Sequence, residues 1–216
     1  MLTFNINRFT LLLNSCQEKF LIGVEKIMKV TIPAKILQRF IALSYLKIEI
    51  SDGKIYLIGT DEKFACVQYL GTTKEPEDSC YINNDKSLKE VVDRESGIAG
   101  SLTFDTIPEL ATGSVIDTLG QVYTDFVYWP DESILDNWYN WFELSTEQNG
   151  FLYFDIVDIE TLWRVSPSGE LVFPEVIDAS KPVIVRDVND NNWVGVFIPA
   201  KDSKTVLQPA TLPEWL

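Results

Sequence analysis

Three times along the chain, a short strand-like run is followed by a helical segment and then by three more strand-like runs. In the first copy, "KVTI" alternates apolar and polar residues. "PAKILQRFIALSY" then places Ile36, Leu37, Phe40 and Ile41 on one helical stripe, with Pro33 suited to a first turn. "KIEIS", "KIYLIGT" and "FACVQYLG" complete the unit, and Asp52-Gly53 between the first two is a hairpin signal. The second copy runs from "CYIN" through the helix "NDKSLKEVVDRE", with Leu88, Val91 and Val92 inward and Asn84 or Asp85 as its cap. Its strands are "GSLTFDTI", "GSVIDTLG" and "QVYTDFVYW". The third has "FLYFDI", the helix "VDIETLWRVS" with Ile159, Leu162 and Trp163 on one side, then "GELVFPEV", "KPVIVRDV" and "NWVGVFIPA".

Connections this short force the strands to pair antiparallel, with the helices covering one face of the sheets. The expected class is therefore α+β: repeated β-α-β-β-β units forming antiparallel sheets with helices on one face and the other face left for solvent or a partner. Residues 28–130 hold two units and form one domain. A Trp-rich connector spans 131–149, the third unit covers 150–200, and 201–216 form a tail with two prolines. Residues 1–27 read either as an extra β-α arm or as an extension upstream of a start at Met28, where "MKVTIPAKILQRF" begins cleanly. Their apolar stretch is too short for a membrane span and lacks the marks of a signal peptide.

Composition narrows the chemistry. The 216-residue chain contains no histidine, which removes the usual general base and the commonest metal ligand. Its three cysteines, Cys16, Cys66 and Cys80, are far apart and without CxxC spacing, as suits buried thiols in a reducing cytoplasm rather than zinc or disulfides. No cofactor and no metal is expected, and no Gly-rich phosphate loop joins a strand to a helix. Asp155, Asp158 and Glu160 lie close together, but the last two sit where a helix start favours acids. "DVNDNN" opens like a calcium loop, then places Asn192 where glycine is required and lacks the closing glutamate, so it reads as a hairpin turn. Trp129, Trp138, Tyr139 and Trp141 read as anchors holding the connector to the sheets. No catalytic residue is expected, and the chain is read as a non-enzyme.

The net charge of −14 repels polyanions on average, so any nucleic-acid contact must be a local basic patch. Lys35 and Arg39 are four apart on the first helix. Lys86 and Lys89 are three apart on the second, with Arg94 further along. These five of only 18 Lys and Arg suit a phosphate backbone read without sequence. The third helix offers Arg164 beside Asp158 and Glu160.

The order of these segments resembles the bacterial DNA polymerase III β subunit (sliding clamp) family. "MKVTIPAKILQRFIAL" followed by "KIEISDGKIYLIGTDEKFACVQYLG" is similar to the opening of its first module. "YWPDESILDNW" is similar to the link after its first domain, and "VFIPA" stands where its last strand ends before a proline. The resemblance implies a ring-forming, DNA clamp-like fold whose helices face duplex DNA through Lys35, Arg39, Lys86, Lys89 and Arg94. It implies a cytoplasmic, homo-oligomeric processivity factor whose partners are non-specific double-stranded DNA and a DNA polymerase or clamp loader. It places Ile198 and Pro199 at the edge of a pocket that takes partner peptides. The departures are three units rather than six, a third helix that is not basic, and the tail; a non-ring module binding replication proteins without holding DNA is the alternative they motivate.

Overall fold

A computed structural model describes residues 27–61, 64–107, 110–131, 133–142, 156–172 and 183–197. β1 (Met28–Pro33) alternates buried and exposed side chains, and α1 (Ala34–Phe40) buries Ala34, Leu37 and Phe40. Pro33 closes the strand and caps the helix rather than entering its first turn, and Ile36 is only half-buried. β2 (Tyr45–Ser51) and β3 (Lys54–Thr60) form the expected hairpin. Asp52 and Gly53 both take positive φ, 51° and 68°, the pairing that a two-residue turn of this twist requires. β4 (Phe64–Thr72) follows, then β5 (Asp78–Ile82) and α2 (Lys86–Gly97).

Asp85, not Asn84, caps α2: its carboxylate accepts from Leu88 N at 2.9 Å. Asn84 serves the other helix instead, donating from Nδ2 to the carbonyls of Ile41 (2.8 Å) and Leu43 (2.5 Å) just beyond α1. β6 (Ser101–Ile107) and β7 (Thr112–Ile116) come next. The single strand expected over 121–129 is two short ones, β8 (Val122–Tyr123) and β9 (Val127–Tyr128), which belong to different sheets.

The units interlock. β1 pairs with β6 of the second unit, and β5 pairs with β2 of the first, so each unit lends its leading strand to the other's sheet. One sheet has the order β1-β6-β7-β8. In the third unit the expected strand over 151–156 lies outside the described residues up to position 155. There, α3 (Ile156–Val165) leads to β10 (Leu171–Val172), β11 (Val183–Asp187) and β12 (Trp193–Phe197). β12 pairs along β4 from Trp193↔Gln68 to Phe197↔Phe64, giving a second sheet ordered β10-β11-β12-β4-β3-β2-β5-β9. Every pairing among the described residues is antiparallel, and the chain is α+β as read.

The core is continuous across all three units. Leu37, Phe40, Leu88 and Val92 from α1 and α2 pack with Ile48, Phe104 and, from the third unit, Leu162 and Trp193. Trp163, expected on the inward side of α3, is instead 57% exposed. Its ring lies over Gly169, where a Cβ would stand 2.7 Å from Nε1. Cys66 and Cys80 are buried free thiols, and burial pushes both far above the ordinary thiol range. On the opposite face, Ile58, Val67 and Tyr81 form a smaller cluster covered by Leu135 of the connector.

Candidate nucleic-acid interface

α1 and α2 lie side by side with their polar faces outward. Gln38 ties them together, donating from Nε2 to Asp93 (2.8 Å) and accepting from Ser96 Oγ (2.7 Å). Lys35, Lys86 and Lys89 are exposed on this surface. Lys86 approaches Glu90 at 3.7 Å, but with side chains 90% and 70% exposed the pair is solvent-screened and leaves the ammonium available.

The two arginines are used differently. Arg94 Nη2 lies 2.5 Å from Asp117 and 3.1 Å from the Tyr123 hydroxyl, while its Nε donates to Glu95 at 3.1 Å. Both carboxylates are fully buried, so this guanidinium compensates internal charge. Thr118 donates to Glu95 and, with Arg94, outweighs burial to hold that carboxyl below its ordinary range. Burial raises the Asp117 carboxyl, but donation from Gln121, Tyr123 and Leu119, with Arg94 nearby, holds it below the usual range.

Arg39 points away from the α1–α2 face towards the seam between β4 and β12. Burial lowers its pKa, opposed by the carboxylates of Asp190 and Asp187 and by Cys66. Its Nε is buried without a protein partner. On α3, Arg164 pairs with Glu160 at 2.6 Å. The exposed α1–α2 face thus carries three lysines interleaved with the exposed Asp85, Glu90 and Asp93, on a strongly acidic protein.

The turn after β11 is built on Asp187. Its carboxylate accepts from Ser168 N and Oγ (both 2.8 Å), Asn189 N (2.9 Å) and Asp190 N (3.0 Å). Burial raises this carboxyl, and those donors outweigh it to leave the pKa lowered. The Asp187 carboxylate, first of the calcium-like positions in the sequence, is engaged in closing a turn. Among the described residues there is no cluster of three or more Cys, Asp or Glu arranged to hold a metal ion.

A second surface lies on the opposite side of the large sheet. The connector's 3₁₀ helix (Trp138–Phe142) sits against β3 and β4, and an apolar groove of about 330 Å³ opens between it and the start of β12. Four rings form a continuous wall. Tyr69 is 6.1 Å from Tyr56, Tyr56 is 5.4 Å from Trp138, and Trp138 meets Tyr139 edge-on at 6.4 Å.

Trp138 Nε1 donates to Glu49 (3.1 Å), and Lys47 binds both Glu49 (2.8 Å) and Asp136 (3.6 Å). Tyr81 donates to Asp136, so the connector is fixed at both ends of this network. Trp129 donates to Ser79 O at 2.9 Å. These tryptophans therefore anchor the connector, as read from the sequence, while the Trp141 side chain lies outside the described residues. The groove itself was not foreseen, since Tyr56 and Tyr69 carry no sequence mark beyond strand propensity. Ile198 and Pro199 lie outside the described residues, immediately after β12. No helix among the described residues is long and apolar enough to cross a membrane.

No family model matches the sequence, and no curated protein is significantly similar to it. Solved structures are similar in fold. The DNA polymerase III β subunit from Thermotoga maritima superposes with a TM-score of 0.60 at 10% identity, over 82% of this chain and 66% of that one. A DnaN sliding clamp from Pseudomonas aeruginosa, solved with griselimycin bound, gives 0.58 at 10% identity, over 81% and 65%. The chain spans slightly less than two thirds of the length of either clamp. The chain therefore shares the fold of the DNA polymerase III β-subunit sliding clamps.

Proposed function

We propose that the chain is a non-enzymatic, clamp-like protein that encircles or cradles duplex DNA on the α1–α2 face and tethers a replication partner through the aromatic groove. The observation that carries this reading is the placement of Lys35, Lys86 and Lys89 together on the exposed helix face, opposite a sheet surface with an apolar groove. Lysines spaced along adjacent helices bind phosphates without reading bases. Arg39 and Arg94 then act indirectly, one at the seam with the third unit and one by neutralising buried acids. The clamp fold makes assembly of several copies edge to edge the natural route to encirclement.

A second reading is favoured by the same electrostatics. Three lysines against three carboxylates, Asp85, Glu90 and Asp93, on a chain of net charge −14, give little non-specific affinity, whereas the groove is pre-formed. In that reading the chain binds replication proteins and does not hold DNA.

Duplex binding measured across salt separates the two. The clamp reading predicts that each of Lys35→Gln, Lys86→Gln and Lys89→Gln weakens binding uniformly across sequences and reduces the salt slope by about 1. No measurable duplex binding at low salt, with retained capture of a polymerase or clamp loader, would favour the second.

A further inference from the structure

The described lining of the aromatic groove is apolar and aromatic. Its wall of Tyr56, Tyr69, Trp138 and Tyr139 is fixed by ring contacts and by the Trp138–Glu49 hydrogen bond. Exposed Asn191 and Asn192 stand at its rim. Among the described residues, no charged side chain lines it. Such a surface suits a proline-containing apolar peptide, because proline limits the entropy lost on docking and aromatic faces pack against its ring.

We propose that residues 207–216 of the same chain, "LQPATLPEWL", occupy this groove and hold it closed to other peptides. The segment supplies Leu207, Leu212, Trp215 and Leu216 with two prolines and a single charged side chain, Glu214, in a chain that is 23% charged as a whole. Connectivity favours it over any free competitor. β12 contributes Trp193 and Val194 to the groove, and the same strand leads through Phe197 into residues 198–216.

From Val194 to Phe197 the strand rises about 10 Å. Nine residues, 198–206, then separate β12 from the docking segment, enough to extend roughly 30 Å and turn back along the strand. A tether of that length holds its segment near millimolar effective concentration. The regulatory consequence rests on the reading that the groove receives a partner peptide: a partner must displace residues 207–216 before it can bind.

The test places a photoreactive benzophenone side chain at the end of the segment, Trp215→p-benzoylphenylalanine, in the full chain. Equal amounts of ¹⁵N-labelled and unlabelled chains are mixed before irradiation. Cross-links from position 215 to the peptides carrying Tyr56, Tyr69 or Tyr139, with both partners from one isotope pool, are the expected result. Mixed-isotope cross-links would assign the groove to a second copy's segment and overturn the proposal. Cross-links elsewhere, or none, would also overturn it.

An affinity measurement provides an independent check. A synthetic LQPATLPEWL peptide is expected to bind the Trp215→Ala/Leu216→Ala chain roughly tenfold or more tightly than the unaltered chain. Equal affinity for both, or no binding to either, contradicts self-occupancy. Neither measurement involves DNA or a polymerase, so their failure leaves the clamp reading standing, and failure of the clamp reading leaves them interpretable.

Discussion

The cations on α1 and α2 look alike in sequence and have different fates in the fold. Lys35, Lys86 and Lys89 keep their ammonium groups in water, while Arg94 is drawn onto Asp117 and Glu95. Helical spacing reports only which face a side chain leaves from. Glu95 is the next residue along α2, but Asp117, which captures Arg94, and Asp187 and Asp190, which attract Arg39, come from a turn after β7 and from the end of β11 and its turn, far away along the chain, so no helical spacing marks them. The buried carboxylates make the fold sensitive to acid. Asp117 and Glu95 have folded pKa values below their unfolded ones, near 4. Each therefore stabilises the fold above that unfolded value, and the stabilisation is lost as pH falls through the lower, folded pKa. Unfolding followed by circular dichroism should show stability decreasing below about pH 4. Asp117→Asn should be less stable at pH 7 and show a shallower acid limb; an unchanged limb would remove Asp117 from the account.

At the scale of elements, local chemistry was readable and pairing was not. The Asp52-Gly53 hairpin, the α2 stripe of Leu88, Val91 and Val92, and the repeated order of elements follow from short-range rules. The exchange of β1 and β5 between sheets does not, because antiparallel alternation is satisfied by either neighbour. The groove was hidden for the same reason: Tyr56 and Tyr69 meet Trp138 only once the connector crosses the sheet. Two substitutions examine elements separately. Asp85→Ala removes the N-cap of α2 and should cost about 1 kcal/mol, or roughly 2–4 °C in melting temperature. Gly195→Ala acts at the β4–β12 seam, where a Cβ would meet the Trp193 ring at 2.8 Å and Leu162 Cδ1 at 2.9 Å. It should cost about 1–3 kcal/mol, with amide exchange in β12 and β4 accelerated before the rest of the sheet.

Across the described residues, interlocked units and one continuous core make a wall with two distinct faces. The helix face carries lysines, and the opposite face carries the groove beside β12. An acidic surface elsewhere is compatible with this division, since phosphate contacts need only a local positive strip. The central claim is that duplex DNA lies against α1 and α2. Lysine acetylation footprinting by mass spectrometry, with and without duplex DNA at low salt, tests it on the unaltered protein. The account predicts protection of Lys35, Lys86 and Lys89, with the exposed Lys54 and Lys74 at the hairpin end of the large sheet reacting as in free protein. Equal protection of Lys54 and Lys74, or no protection of the helix lysines, would contradict it.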